Sequence, residues 1–124
     1  MVKPYLFIDN TERKGRGVYT SEAIPANTVV EVSPVIVMPA ADRTHLDKTL
    51  LHDYIFEWQE GCCMALGYIP MYNHCYKSNC EYLMDYGDGT MLIKTVRPVK
   101  KGEELTINYN GDWNNGKKVW FDVQ

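Results

Sequence analysis

Short runs of alternating apolar and polar residues, broken every few positions by Gly, Pro or Asn, extend through most of the chain. A strand that buries one face shows a period of two, so such runs read as β structure. On this basis Tyr5–Ile8, Gly17–Thr20, Val29–Val32 and Val35–Met38 are predicted strands, punctuated at Gly15, Pro25, Asn27 and Pro34. Asp42 is placed to cap a helix that carries Leu46, Leu50 and Leu51 on one face. The clearest hairpin joins Cys80–Tyr86 to Thr90–Val96 through Gly87-Asp88-Gly89, where Asp-Gly supplies the positive-φ residues of a tight turn. A last strand, Leu105–Tyr109, sets Leu105, Ile107 and Tyr109 on one face and turns Tyr109 inward. The pattern predicts a mainly β (α+β) domain with one short helix, and contains no repeat, linker or low-complexity tract.

Composition supports a folded core and narrows the partners. A length of 124 residues suits a single domain, and 45% hydrophobic residues with nine Tyr, three Trp and three Phe give it enough apolar surface to bury. The net charge of -3 argues against a broad phosphate-binding face, so no specific nucleic-acid binding is expected and a basic partner suits the chain better. The run Met1–Asp9 is too short for a signal peptide, and no stretch approaches the roughly 18 apolar residues of a membrane span. The chain therefore reads as soluble and intracellular, without membrane association. Cys62, Cys63, Cys75 and Cys80 lack the two-residue gap of a zinc knuckle, which favours buried free thiols and no metal site.

Four local features carry candidate chemistry. In Lys14-Gly15-Arg16-Gly17, two glycines one residue apart let the backbone approach a ligand closely or turn through conformations closed to other residues. Tyr72-Asn73-His74-Cys75-Tyr76-Lys77-Ser78-Asn79-Cys80 is rich in amides and holds a histidine, groups that read a polar ligand or satisfy a buried turn. No Ser or carboxylate partner for a triad accompanies His74, and adjacent Cys75 does not converge with it on one reacting atom. Gly102-Glu103-Glu104-Leu105-Thr106-Ile107-Asn108-Tyr109 is a turn feeding a strand that ends in an inward tyrosine, whose phenol needs a hydrogen-bond partner if buried. Asp53-Tyr54-Ile55-Phe56 contributes an aromatic pair that suits either core or site.

Taken in order, these features resemble the SET-domain lysine methyltransferases, above all their small stand-alone viral and bacterial forms, over roughly residues 4 to 113. Lys14-Gly15-Arg16-Gly17-Val18-Tyr19 resembles the family's amino-terminal Gly-x-Gly motif, and Asp53–Phe56 with Met64-Ala65-Leu66-Gly67 the segment bearing a substrate-channel tyrosine. Asn73–Asn79 is similar to Asn-His-Ser-x-x-Pro-Asn, and Gly102–Tyr109 to Gly-Glu-Glu-Leu-x-x-x-Tyr. The resemblance implies a fold of several small sheets with a knot-like threading near the carboxyl end, an exception to the rule against threaded chains. It implies S-adenosylmethionine as cofactor, met by Gly15, Arg16, Gly17, Asn73, His74 and Tyr109, with Tyr109 also the catalytic-site phenol. Tyr54 and Trp113 would line a channel admitting the lysine of a protein or peptide substrate.

Methyl transfer by direct displacement needs amine, methyl carbon and sulfonium sulfur nearly in line, so positioning is the main task and no metal is required. Cys75 stands where the family pattern has Ser, and Ser78 where it has Pro, which loosens the turn before Asn79. Cysteine-rich flanking segments are lacking, so residues 114–124, with Trp120 and Phe121, or a second subunit in a homodimer, would close the channel. A SET-fold module without catalysis, holding cofactor or a lysine-rich peptide, is the alternative; the presence of Tyr109, Tyr54 and Asn73 favours the enzyme.

Overall fold

The computed structural model describes residues 1–109, which form two curled sheets with one short helix, in keeping with the mainly β architecture expected. In the smaller sheet β1 (Leu6–Asn10) pairs antiparallel with β2 (Arg16–Thr20), Leu6 opposite Thr20 and Asn10 opposite Arg16. The larger sheet begins in sequence with β3 (Val29–Met38), followed by the hairpin of β4 (Phe56–Trp58) and β5 (Gly61–Ala65). The two-residue β6 (Asn73–His74) returns to the smaller sheet, and β7 (Cys80–Asp85) with β8 (Thr90–Thr95) forms the predicted hairpin in the larger one. Finally β9 (Glu104–Ile107) enters between β2 and β6, giving the orders β1-β2-β9-β6 and β4-β5-β3-β8-β7.

Strand β3 runs unbroken through Pro34, where two strands were expected. Its first half pairs with β8 and its second with β5, so the chain stays extended while exchanging partners around the proline. The register slips between Val29 and Glu31, and the consecutive residues Val30 and Glu31 are both fully buried. One extra residue reverses the face taken by every residue after it. Glu31 and Ser33 therefore point into the protein; beyond Pro34 the alternation lapses, and the adjacent Ile36 and Val37 are both exposed.

The predicted helix is shorter than expected. α1 spans Ala40–Leu46 with Pro39 at its N-cap; Asp42 lies in the first turn, where its negative charge suits the free N–H groups, and does not cap it. Leu50 and Leu51 belong to a separate 3-10 turn, Leu50–Asp53, in which the Thr49 hydroxyl accepts from the Leu51 N–H. Neither element buries a residue, and Leu50 is 76% exposed, so no apolar helical face forms.

The core lies where the sheets meet and contains Val18, Val30, Ile69, Tyr72, Met91, Ile93, Leu105 and Ile107. β9 has neighbours on both sides and is buried on both faces, so Thr106 and Asn108 are covered as well as Leu105 and Ile107. The four cysteines are free thiols. Burial pushes the Cys63 thiol up to about 11 and that of Cys80 up to about 12, which keeps both protonated at neutral pH. No helix among the described residues is long and apolar enough to cross a membrane.

Candidate active site

The amide-rich segment and the carboxyl-terminal strand come together. β6 lies parallel to β9, with Asn73 opposite Thr106 and His74 opposite Ile107, and the Cys75 N–H continues the ladder to the Ile107 carbonyl. Asn79 then acts as a side-chain rung: Nδ2 donates to the Glu104 carbonyl at 2.8 Å, and Oδ1 accepts from the Thr106 N–H at 2.8 Å. A primary amide has the donor and acceptor of a peptide group, so it completes the edge of β9 as a strand would. Residues 73–79 and β9 thus lie side by side.

Tyr109 follows β9 and is held at three points. Its backbone N–H donates to His74 Nδ1 at 3.0 Å, its hydroxyl donates to the Tyr72 carbonyl at 2.6 Å, and its own carbonyl accepts from the Tyr82 hydroxyl at 3.4 Å. Since Nδ1 accepts, the His74 ring is the neutral tautomer with its proton on Nε2; burial first, then the Lys14 ammonium, lowers its pKa. Burial, then charge on Tyr54, Asp53, Glu104 and Tyr82, raises the Tyr109 pKa, so the phenol stays protonated. The bond to the Tyr72 carbonyl fixes the direction of the hydroxyl proton.

Around this phenol stands an aromatic wall. The Phe56 ring meets Tyr109 edge-on with centroids 6.3 Å apart, and meets Tyr82 at 5.2 Å. The His74 ring lies 5.3 Å from Tyr109 and 4.6 Å from Tyr76. Tyr54 ends the 3-10 turn half-buried, near enough to act electrostatically on the Tyr109 phenol. Burial and the charge of Glu57 push the Tyr82 phenol up to about 12. Burial in this wall opposes a charged group, while the carboxylates of Asp53, Glu57 and Glu104 nearby act in favour of a cation.

The glycine motif adjoins the same place. Asn73 Nδ2 donates to the Arg16 carbonyl at 3.0 Å and to Glu104 Oε2 at 2.8 Å. Gly17 lies against both: a Cβ there would sit 2.4 Å from Glu104 Oε2 and 2.9 Å from Asn73 Nδ2. Gly15 takes a φ of +74°, open to glycine at little cost, and turns the chain into β2. The Lys14 ammonium donates to the His74 carbonyl at 3.0 Å, closing the motif over β6. The Asn73 amide NH₂ therefore bridges the Arg16 carbonyl and the Glu104 carboxylate, tying β6 to the start of β2 and to β9.

The residues predicted from sequence thus fall into two adjoining groups: Gly15, Arg16, Gly17 and Asn73 in one, and Tyr109, His74 and Tyr54 in the other. Trp113 and the tail 114–124 lie outside the described residues. Phe56, the second ring of the aromatic pair noted in the sequence, joins the wall, as does Tyr82, which was not singled out. Glu31 was missed altogether, because alternation along its strand places it on the outer face. Its carboxylate is 0% exposed; it accepts from Ser33 Oγ at 2.7 Å, the Tyr68 N–H at 2.8 Å and the Tyr72 hydroxyl at 2.9 Å, with a further bond from the Ile69 N–H.

Comparison with known proteins identifies the family. The SET domain family model matches residues 15–110. A Schizosaccharomyces pombe histone-lysine N-methyltransferase specific for H3 lysine 37 is 36% identical over 124 residues, covering 98% of this chain and 80% of that protein. A Cryptococcus neoformans histone-lysine N-methyltransferase specific for H3 lysine 36 is 33% identical over 114 residues, covering 82% of this chain but only 14% of the longer relative. The crystal structure of a candidate histone methyltransferase from Plasmodium falciparum superposes with a TM-score of 0.67 at 23% identity, over 91% of this chain and 98% of that one, a likeness of fold. With the family model spanning most of the chain and a relative aligned over nearly all of it, the protein belongs to the SET-domain family of protein-lysine methyltransferases.

Proposed function

We propose that the protein transfers a methyl group from S-adenosylmethionine to a lysine side chain in a histone tail, with Tyr109 orienting the reacting groups. The observation that carries the reading is the fixed Tyr109 hydroxyl, donating to the Tyr72 carbonyl at 2.6 Å beside the Asn73–Arg16 corner. Gly15, Arg16 and Gly17 provide backbone for the cofactor to lie against, with Asn73 and the His74 backbone as its polar contacts. S-adenosylmethionine, when bound, supplies the sulfonium-linked methyl group. Tyr54, Phe56, Tyr82 and Tyr109 receive the apolar stem of the lysine, and burial among them opposes its charged form. The Tyr109 oxygen, acting as an acceptor, steers the amine or the polarised methyl; contacts of the C–H···O kind are worth about 0.5–1 kcal/mol each. A protonated phenol suits this orienting task better than that of a base.

Histone substrates are supported by the relatives' names and by the chain's net charge of -3, which suits a basic tail; such a substrate implies work at chromatin. The chain is read as one domain. Two measurements test the proposal. Calorimetry should detect S-adenosylmethionine binding together with a raised melting temperature, since a ligand that binds only the folded state stabilises it. Asn73→Ala should weaken that binding about tenfold in a folded protein through loss of a polar contact. Mass spectrometry should then show methyl groups added to lysines of histone H3. Cofactor binding without methylation of any lysine-containing protein would leave a binding module in place of an enzyme.

A further inference from the structure

Glu31 lies in the interior, away from the cofactor corner, yet it is bonded to the segment that leads into the site. Its Oε1 accepts from the Tyr72 hydroxyl, and Oε2 accepts from the Tyr68 N–H and the Ser33 hydroxyl. With the Ile69 N–H as well, the carboxylate meets four donors, a set that matches the ionised form. Burial raises the Glu31 pKa, while the bonds from Ser33, Tyr72, Tyr68 and Ile69 lower it. The surroundings are shaped around the carboxylate: Gly67 has a φ of +68°, and a Cβ there would fall 2.3 Å from Glu31 Oε2 and 2.4 Å from Ser33 Oγ.

The segment held in this way is the 3-10 turn Ile69–Met71 with its flanking residues Tyr68 and Tyr72. Tyr72 joins the two sites: its side chain donates to Glu31, and its carbonyl receives the Tyr109 hydroxyl at 2.6 Å. Displacing the turn moves that carbonyl and, with it, the Tyr109 oxygen. A misplacement of about 1 Å can cost on the order of 100-fold in rate. We infer that Glu31 is a positioning residue for methyl transfer: through Tyr72 and the 68–69 backbone it sets the carbonyl that aims the Tyr109 hydroxyl. This inference rests on the reading of Tyr109 as the orienting phenol.

The test compares wild type, Glu31→Gln, Tyr72→Phe, Tyr109→Phe and the Tyr72→Phe/Tyr109→Phe double variant of the full chain. Steady-state kinetics use histone H3 and S-adenosylmethionine, with calorimetry for cofactor affinity and circular dichroism for folding. Glu31→Gln keeps size while confronting the donors with an amide NH₂, and Tyr72→Phe deletes one hydroxyl while retaining the carbonyl. Positioning predicts that kcat falls about tenfold in Glu31→Gln and about fivefold in Tyr72→Phe, with the KM for histone and cofactor affinity changed less than about threefold. It also predicts non-additivity: Tyr72→Phe should slow the Tyr109→Phe enzyme by less than about twofold, since the group it aims has gone. Should Glu31→Gln fail to fold, Tyr72→Phe and the double variant decide alone. A slow Tyr109→Phe beside folded Glu31→Gln and Tyr72→Phe proteins of normal kcat overturns the role of Glu31 alone, as do fully additive losses in the double variant. Normal turnover by Tyr109→Phe overturns the reading of Tyr109 and this inference with it.

Discussion

Replacing Tyr109 by Phe deletes one oxygen and keeps the ring that meets Phe56 at 6.3 Å and His74 at 5.3 Å. The backbone N–H bond to His74 Nδ1 is retained, so the chain direction after β9 is preserved. What disappears is the 2.6 Å bond to the Tyr72 carbonyl, together with the lone pairs of the phenol oxygen. The stability term follows from the first loss: a hydrogen bond is worth about 1 kcal/mol net, and a carbonyl left without its buried partner brings the cost to about 1–3 kcal/mol. For a domain of this size that is a fall in melting temperature of several degrees, at about 4 °C or more per kcal/mol. The kinetic term follows from the second. If the oxygen matters mainly at the transition state, kcat should fall by well over tenfold, about 1.4 kcal/mol or more, while cofactor affinity changes little. The assay is mass spectrometry of methyl groups added to histone H3 under single-turnover conditions, with circular dichroism confirming that the variant is folded at the assay temperature. A Tyr109→Phe protein that melts lower but methylates at the normal rate would make Tyr109 a core residue, whose hydroxyl serves the Tyr72 carbonyl and nothing more.

Other expectations follow from single contacts. Gly17→Ala should lower S-adenosylmethionine affinity in calorimetry by about tenfold or more, because the added methyl displaces the Glu104 and Asn73 side chains that lie 2.4 and 2.9 Å from its position; unchanged affinity would remove this corner from the cofactor site. Asn79→Ala should destabilise the fold by about 2–4 kcal/mol in urea titration, since both the Glu104 carbonyl and the Thr106 N–H lose their amide partner; a cost below about 1 kcal/mol would show that water replaces the rung. His74, whose pKa lies below its ordinary 6.5, gives a stability dependence of defined sign. The unfolded chain takes up the proton first, so the contribution of neutral His74 is complete above about 6.5 and is lost as pH falls toward the lower folded value. Melting curves from about pH 7.5 to 5 should therefore steepen less in His74→Gln than in wild type, and equal slopes would count against the bond to the Tyr109 N–H.

Much of this protein was legible in the linear sequence because the deciding signals are local. The β7–β8 hairpin was legible from its Gly-Asp-Gly turn, although Gly89 alone, at φ +67°, takes positive φ there and Asp88 does not; the alternation Leu105, Ile107, Tyr109 likewise turned Tyr109 inward, although the strand itself stops at Ile107. Gly15-Arg16-Gly17, Asn73-His74 and Tyr109 could be named as a set because their order carries a family pattern. Alternation is read within one strand, however, and cannot register an extra residue whose place is set by the partner strand. The bulge at Val30 in β3 is of that kind: it arises from pairing with β8, and it carries Glu31 from the expected solvent face to the interior. Pairing also decided that β3 passes straight through Pro34, and that β9 lies between β2 and β6 with both faces covered. Leu46, Leu50 and Leu51 mark the converse failure, for their helical spacing is real but the chain divides into a helix and a separate turn, and Leu50 and Leu51 stay exposed among the described residues. The sequence by itself therefore determined the family and the candidate groups, through motifs written in neighbouring residues. Only the tertiary structure decided what holds them in place, because Glu31, Tyr72 and Tyr109 are joined through strand pairing and hydrogen bonds between residues 37 to 41 positions apart.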